Sequence, residues 1–283
     1  MNEQPTLLIE PFAGASGNML LGALLDLHDG IDAHQLEEAL TGIKFPESQG
    51  GASWKLERTS IVKGGIAATH MDFAIPHSHE HRHLSDIVDL INGSPLSDSV
   101  KESSIRVFNR LAQAEATVHG TTLEAVHFHE VGAIDAILDI VGFCWAIENL
   151  GIKEIYATAL PLPRGSIHCA HGRFPNPGPA TAWLMQGIPS SPVDFDREMV
   201  TPTGAAILTT LAKFVLPTNF RSETVGYGAG TMDFPFANVL RVQRGWSSTW
   251  TAASSNSAGH FHLHQHHGVE SAVQATASHA HHH

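Results

Sequence analysis

Apolar and polar positions along this chain alternate between strand-like and helix-like patterns. Thr6 to Ile9 is a short apolar run that reads as a buried strand, and it enters a turn of small residues, PFAGASGN, from Pro11 to Asn18. The stretch that follows, MLLGALLDLHD, has the length and apolar period of a helix. Asp32 is placed to cap a second helix through about Leu40, before Pro46, Gly50 and Gly51 break the pattern. Trp54 to Ile75 reads as β structure with a Gly64-Gly65 turn. A helix follows the histidines at 77 to 83, with Ser85 as its candidate cap, and Ser97 or Ser99 starts the next. In that helix Ile105, Phe108, Leu111, Ala112 and Val118 return at helical spacing, and Gly120 ends it. A long apolar helix covers about Ala133 to Leu150 and stops at Gly151.

From Leu160 to Pro192 the chain is rich in proline and glycine, yet it carries Phe174, Trp183 and Met185, which favour burial. Thr201-Pro202-Thr203-Gly204 opens an apolar helix, AAILTTLAKFV, and GYGAG (Gly226 to Gly230) precedes a final strand, NVLRVQ. Strand, small-residue loop and helix in succession predict an α/β fold, with a mixed α+β arrangement as the variant, built around a single compact core. After Trp246 the composition collapses to Ser, Thr, Ala and His. The expected division is therefore a folded body over 1–246 and a low-complexity, disordered, histidine-rich tail over 247–283.

Composition narrows the function classes. With 28 acidic against 16 basic residues the formal net charge is -12, which repels phosphate backbones and argues against nucleic-acid binding. Neither a signal-peptide pattern nor an apolar run of membrane-spanning length is seen, so the expected setting is the cytoplasm, away from a membrane. Two cysteines, Cys144 and Cys169, cannot form a disulfide framework in a chain this long. Self-association into a homo-oligomer is left open by the sequence.

Histidine is the outlier, with 21 copies. His127-Phe128-His129-Glu130 is followed by Asp135 and Asp139. Alternate residues of a strand face the same side, so His127 and His129 would point together. Two imidazoles with a nearby carboxylate make a normal shell for a borderline metal such as nickel or zinc. Asp135 and Asp139 share a face of an otherwise apolar helix, where two like charges are costly without a cation or donors. Spacing alone equally allows a solvated strand face and an exposed acidic stripe. His77, His79, His81 and His83 form a second cluster with affinity for nickel, copper or zinc. The tail adds nine more histidines, of which His281 to His283 also fit a purification remnant. The turn carrying Gly14, Ser16, Gly17 and Asn18, and the turn carrying Thr201, Thr203 and Gly204, each precede a helix. Such turns can cradle an anion, or can simply need glycine for their backbone.

Six stretches, in order from Thr6 to Val242, resemble the LarC family: EPFAGASGNMLLGALLDL, HSHEHRHLSDI, HFHEVGAIDAILDIVG, PLPRGSIHCAHGRFPNPGPAT, MVTPTGAAIL and GYGAGTMDFPFANVLRV. The first, second, third and fifth include the histidine and turn motifs just described. The resemblance implies a cyclometallase-type lyase that inserts nickel into a pyridinium bisthiocarboxylate mononucleotide to give a nickel-pincer cofactor. It implies an N-terminal-type module, with CTP and its divalent metal on a separate C-terminal-type subunit. On this reading His127, His129, Glu130 and Asp135 are catalytic candidates. Candidate nickel ligands are His77, His79, His81, His83, His127, His129, Asp139 and His171. The two turns are candidates for the mononucleotide's phosphate. One departure is Asn18, where the family usually carries aspartate. The competing readings are a nickel chaperone or store without catalysis, and a zinc-dependent hydrolase, for which HFHE lacks a clear third ligand.

Overall fold

A computed structural model describes residues 3–28, 30–46, 54–75, 82–128, 132–169 and 172–248, and all statements below concern these residues. The expected strand is β1 (Glu3–Glu10), and the helix after the small-residue turn is α1 (Gly17–Asp26). Helix α2 (Ala33–Thr41) begins where Asp32 accepts the His34 N–H at 2.9 Å, as the sequence predicts. Strands β2 (Lys55–Lys63) and β3 (Ile66–Ala74) pair antiparallel across the Gly64-Gly65 turn, where both glycines take positive φ. Next come β4 (Arg82–His83), α3 (Leu84–Asn92), α4 (Asp98–His119), β5 (His127–Phe128) and α5 (Ile134–Asn149). The remainder comprises β6 (Glu154–Ala157), β7 (Leu160–Pro163), β8 (Ser166–Cys169), β9 (Gly172–Pro175), α6 (Pro179–Leu184), β10 (Ser190–Val193), α7 (Pro202–Leu211), β11 (Arg221–Ala229) and β12 (Val239–Ser248).

Six strands form one mixed sheet in the order β2-β3-β11-β12-β1-β6. β1 is parallel to β6 and antiparallel to β12, β11 is antiparallel to β12, and β3 is parallel to β11. Strands β1, β3, β6 and β11 therefore end at the same edge, and the loops that leave them gather there. In an α/β sheet that edge is where ligands bind. The α/β expectation is met.

Helix α1 lies directly on the sheet and is covered behind by α5, which explains why Met19 to Leu25 are buried without a polar stripe. Its close approach depends on glycine. A Cβ on Gly228 of β11 would sit 1.8 Å from the Met19 carbonyl oxygen, and one on Gly226 would sit 2.3 Å from that of Ala23. From this side Asp26 accepts the Thr69 hydroxyl and the Tyr227 N–H, locking the helix to β3 and β11. GYGAG thus runs over the end of β11 and precedes the final strand, β12, as the sequence predicts. Its glycines serve helix packing, not a turn.

Two boundaries differ from the sequence expectation. His83, not Ser85, caps α3, with Asp86 accepting the His83 N–H at 2.9 Å. Helix α7 stops at Leu211, because the Lys213 N–H bonds the Ile155 carbonyl and draws the chain onto the edge of β6. Ser97 and Gly120 bound α4 as expected, Gly120 in the left-handed region at φ 62°. Phe174 and Trp183 are half-buried and Met185 is buried. The tail lies outside the described residues.

Candidate functional site

The two histidine motifs meet through backbone pairing. β4 and β5 are antiparallel with His83 opposite His127. The fully buried Arg82 donates to the Gly132 carbonyl at 2.7 Å, tying β4 to the turn before α5. Phe128 is also fully buried, which anchors β5. His83 Nδ1 lies 3.1 Å from the Val126 carbonyl, which holds the ring at the β4–β5 pairing. His77, His79, His81, His129, Glu130, His171 and the side chain of His127 lie outside the described residues.

At the start of α5 the two expected carboxylates share one face, and a third that the sequence did not suggest, Asp72 at the end of β3, acts on both. Asp139 is half-buried as a residue, but its Oδ1 is shut from solvent and has no hydrogen-bond partner among the described residues. Burial pushes its pKa well above the usual carboxylate range, and the charges of Asp135 and Asp72 push it further. Asp135 keeps an exposed edge and accepts the Ala136 N–H at 2.8 Å. Burial of its carboxyl outweighs its backbone hydrogen bonds, and with the Asp72 charge raises its pKa too. Asp72 carries no local motif and sits at an exposed strand position, so only the fold could reveal it. Among the described residues no three His, Cys, Asp or Glu side chains form a metal-sized cluster.

Asp139 stands against the first residue of α1. A Cβ on Gly17 would come 2.2 Å from Asp139 Oδ2, so glycine is required there to admit the carboxyl. The two small-residue turns expected as separate features are one structure. The Ala15 N–H bonds the Met199 carbonyl at 2.9 Å, and the Thr201 N–H bonds the Ala15 carbonyl at 3.0 Å. Gly14, at φ 121°, and Gly204 let these backbones close, since a Cβ on either would strike the other turn's backbone. The Thr201 hydroxyl accepts the Gly204 N–H, capping α7 internally. Thr203 is half-buried. The Ser16 hydroxyl donates to Asn18 Oδ1, and Asn18 Nδ2 reaches the Thr231 hydroxyl at 3.4 Å, as His70 Nε2 does from β3. Asn18 thus uses its amide to bridge α1 and the loop after β11.

Chemically, the edge offers uncompensated carboxyls for a cation or a proton. The chain matches the family described as nickel insertion protein over residues 7–274. It is 44% identical over 239 residues to the pyridinium-3,5-bisthiocarboxylic acid mononucleotide nickel insertion protein of Staphylococcus epidermidis, a match covering 83% of this chain and 58% of that protein. It is 42% identical over 238 residues to the protein of the same name from Desulfitobacterium hafniense, covering 84% and 57% respectively. The chain therefore spans somewhat over half the length of these relatives. No solved structure gives a significant match. Among the described residues no helix is long and apolar enough to cross a membrane. On the extent of the family match and the identity to its members, this chain belongs to the nickel insertion protein family.

Proposed function

We propose that this chain inserts nickel into pyridinium-3,5-bisthiocarboxylic acid mononucleotide, as a cyclometallase-type lyase working with a separate CTP-binding subunit that carries its own divalent metal. The reaction replaces the ring proton by nickel: one Ni–C and two Ni–S bonds form, the C–H bond breaks, and its electron pair stays with carbon. The proton must go to a base. The observation that carries the reading is the Asp139 carboxyl, held beside Gly17 with one oxygen unpartnered and its pKa raised. A carboxylate with an elevated pKa is a better proton acceptor near neutral pH than an ordinary one. Asp135 and Asp72 add negative charge that favours nickel.

In this reading His127, His129 and Glu130, which precede α5 in the chain, deliver or hold the metal together with Asp139. His77, His79, His81 and His171 join as captors. The paired turns, with Gly14, Ser16, Gly17 and Asn18 against Thr201, Thr203 and Gly204, form the wall along which the mononucleotide lies. The test is an insertion assay with purified mononucleotide, nickel and CTP, with and without the candidate partner subunit. Insertion that falls at least ~100-fold in His129→Ala at unchanged thermal stability supports the assignment. Nickel binding without product under every condition would establish a carrier instead.

A further inference from the structure

The proposed substrate carries a phosphate, and the carboxylate side of the site is a poor place for it. Asp139 already stands against the first residue of α1, with Asp135 and Asp72 behind it. The start of α7 is capped by its own Thr201 hydroxyl. An anion at either helix start therefore meets carboxyl groups or an N–H already engaged.

Immediately along the chain from Thr201 the character changes. A groove of about 390 Å³ is lined by Ser166 and His168 of β8, by the Asp196–Glu198 segment with Arg197 at its centre, and by Met232. Among the described residues the Arg197 guanidinium makes no hydrogen bond or ion pair, whereas neighbouring cations are committed: Arg164 pairs with Asp194, Arg173 donates to Ser166, and Lys63 pairs with Asp233. Glu198 has a contact of its own, and Asp196 packs against Gly165.

The groove is firmly built. The buried Asn176 donates to the Arg197 carbonyl at 2.7 Å, holding that backbone from below. Phe195 packs edge-on against Phe234 and Phe236, with ring centres 4.6 and 5.1 Å away, which ties the segment to the loop after β11. Arg197 lies four positions before Thr201, a span of at most about 14 Å of extended chain. The cation is thus within a mononucleotide's reach of the paired turns.

We propose that the Arg197 groove, with His168 and Ser166 beside it, is the subsite for the substrate's phosphate, separated from the carboxylates of the nickel and proton chemistry. The inference rests on the proposed substrate. A guanidinium offers two parallel N–H donors to a phosphate, and His168 and Ser166 supply further donors.

The experiment is calorimetric titration of the full chain, without nickel, using the mononucleotide and the nucleoside obtained from it by phosphatase treatment. The native protein should bind the mononucleotide about tenfold or more tighter than the nucleoside. Arg197→Ala should abolish that preference and leave nucleoside affinity unchanged. Retention of the preference in the variant overturns the subsite and leaves the proposed reaction standing, as does equal binding of both ligands by the native protein. If the native protein binds neither ligand, the proposed substrate itself is wrong and the subsite falls with it.

Discussion

Two carboxylates near the carboxyl end of β1 are treated in opposite ways. Glu10 closes the strand and is gripped at both oxygens by Arg241, at 2.6 Å each, with Gln243 adding a third donor at 2.7 Å. Burial alone would raise its pKa, but these hydrogen bonds and the guanidinium charge hold it below the usual value. The Arg241 pKa is raised in turn, first by its hydrogen bond to Glu10. Asp139, a few residues of structure away beyond the turn, has no such grip, and its neighbours are two more aspartates. The difference teaches which acid is structural. A carboxylate matched by cross-strand donors holds the sheet together, whereas one confined without a counter-charge weakens the fold and is poised for a cation or proton.

That contrast can be broken or sharpened at several points. The largest effect on folding is expected where α1 must reach the site at all. Gly228→Val would drive a Cβ into the Met19 carbonyl and lift α1 from β11, costing about 3 kcal/mol or more. In thermal denaturation this should appear as a fall in Tm on the order of 10 °C. An unchanged Tm would show that the helix-to-strand approach is looser than described. Glu10→Gln is smaller: Arg241 stays partly solvated, so the loss should be about 1 kcal/mol, read from the urea midpoint at constant slope.

The two acids should also bend the pH dependence of stability in opposite directions. Glu10 has a lowered folded-state pKa, so its contribution is present above the unfolded-state value of 4.5 and is lost as pH falls through the folded pKa. Glu10→Gln should flatten that acid limb. Asp139 has a raised folded-state pKa, so its contribution is full below the ordinary value of 3.8 and is lost as pH rises through the elevated one. Asp139→Asn should remove that loss, and its advantage over the native protein should widen from about pH 4 upward. The smallest effect concerns Cys144, whose thiol is pushed up to about 12 by burial, only partly offset by Ser104. It should resist alkylation in the native state and label on unfolding, as followed by mass spectrometry.

The elements with local signals were legible in the sequence. Asp32, Ser97 and Gly120 announce helix ends through their own hydrogen-bonding or backbone chemistry, and β1, α1 and the β2–β3 hairpin follow from apolar period and turn residues. Features set by distant partners were not. The glycines of β11 carry no local sign of their role, because their reason is α1, some two hundred residues earlier in the chain. His83 displaces Ser85 as a cap because β4 fixes its backbone opposite β5.

The site divides in the same way. The shared face of Asp135 and Asp139 follows from helical spacing, and the two small-residue turns stand out by composition. Their mutual pairing, the space that Gly17 leaves for Asp139, and the arrival of Asp72 from β3 are properties of the sheet edge alone. His129 and Glu130 remain expectations drawn from the sequence.

The central claim is that Asp139 is kept uncompensated for the reaction at a cost to the fold. Asp139→Asn, assayed for Tm at pH 8 and for nickel insertion in one preparation, tests it most directly. The account predicts a Tm equal to or above the native value together with insertion reduced at least ~100-fold. Insertion at the native rate, or a variant that unfolds at lower temperature, would contradict it.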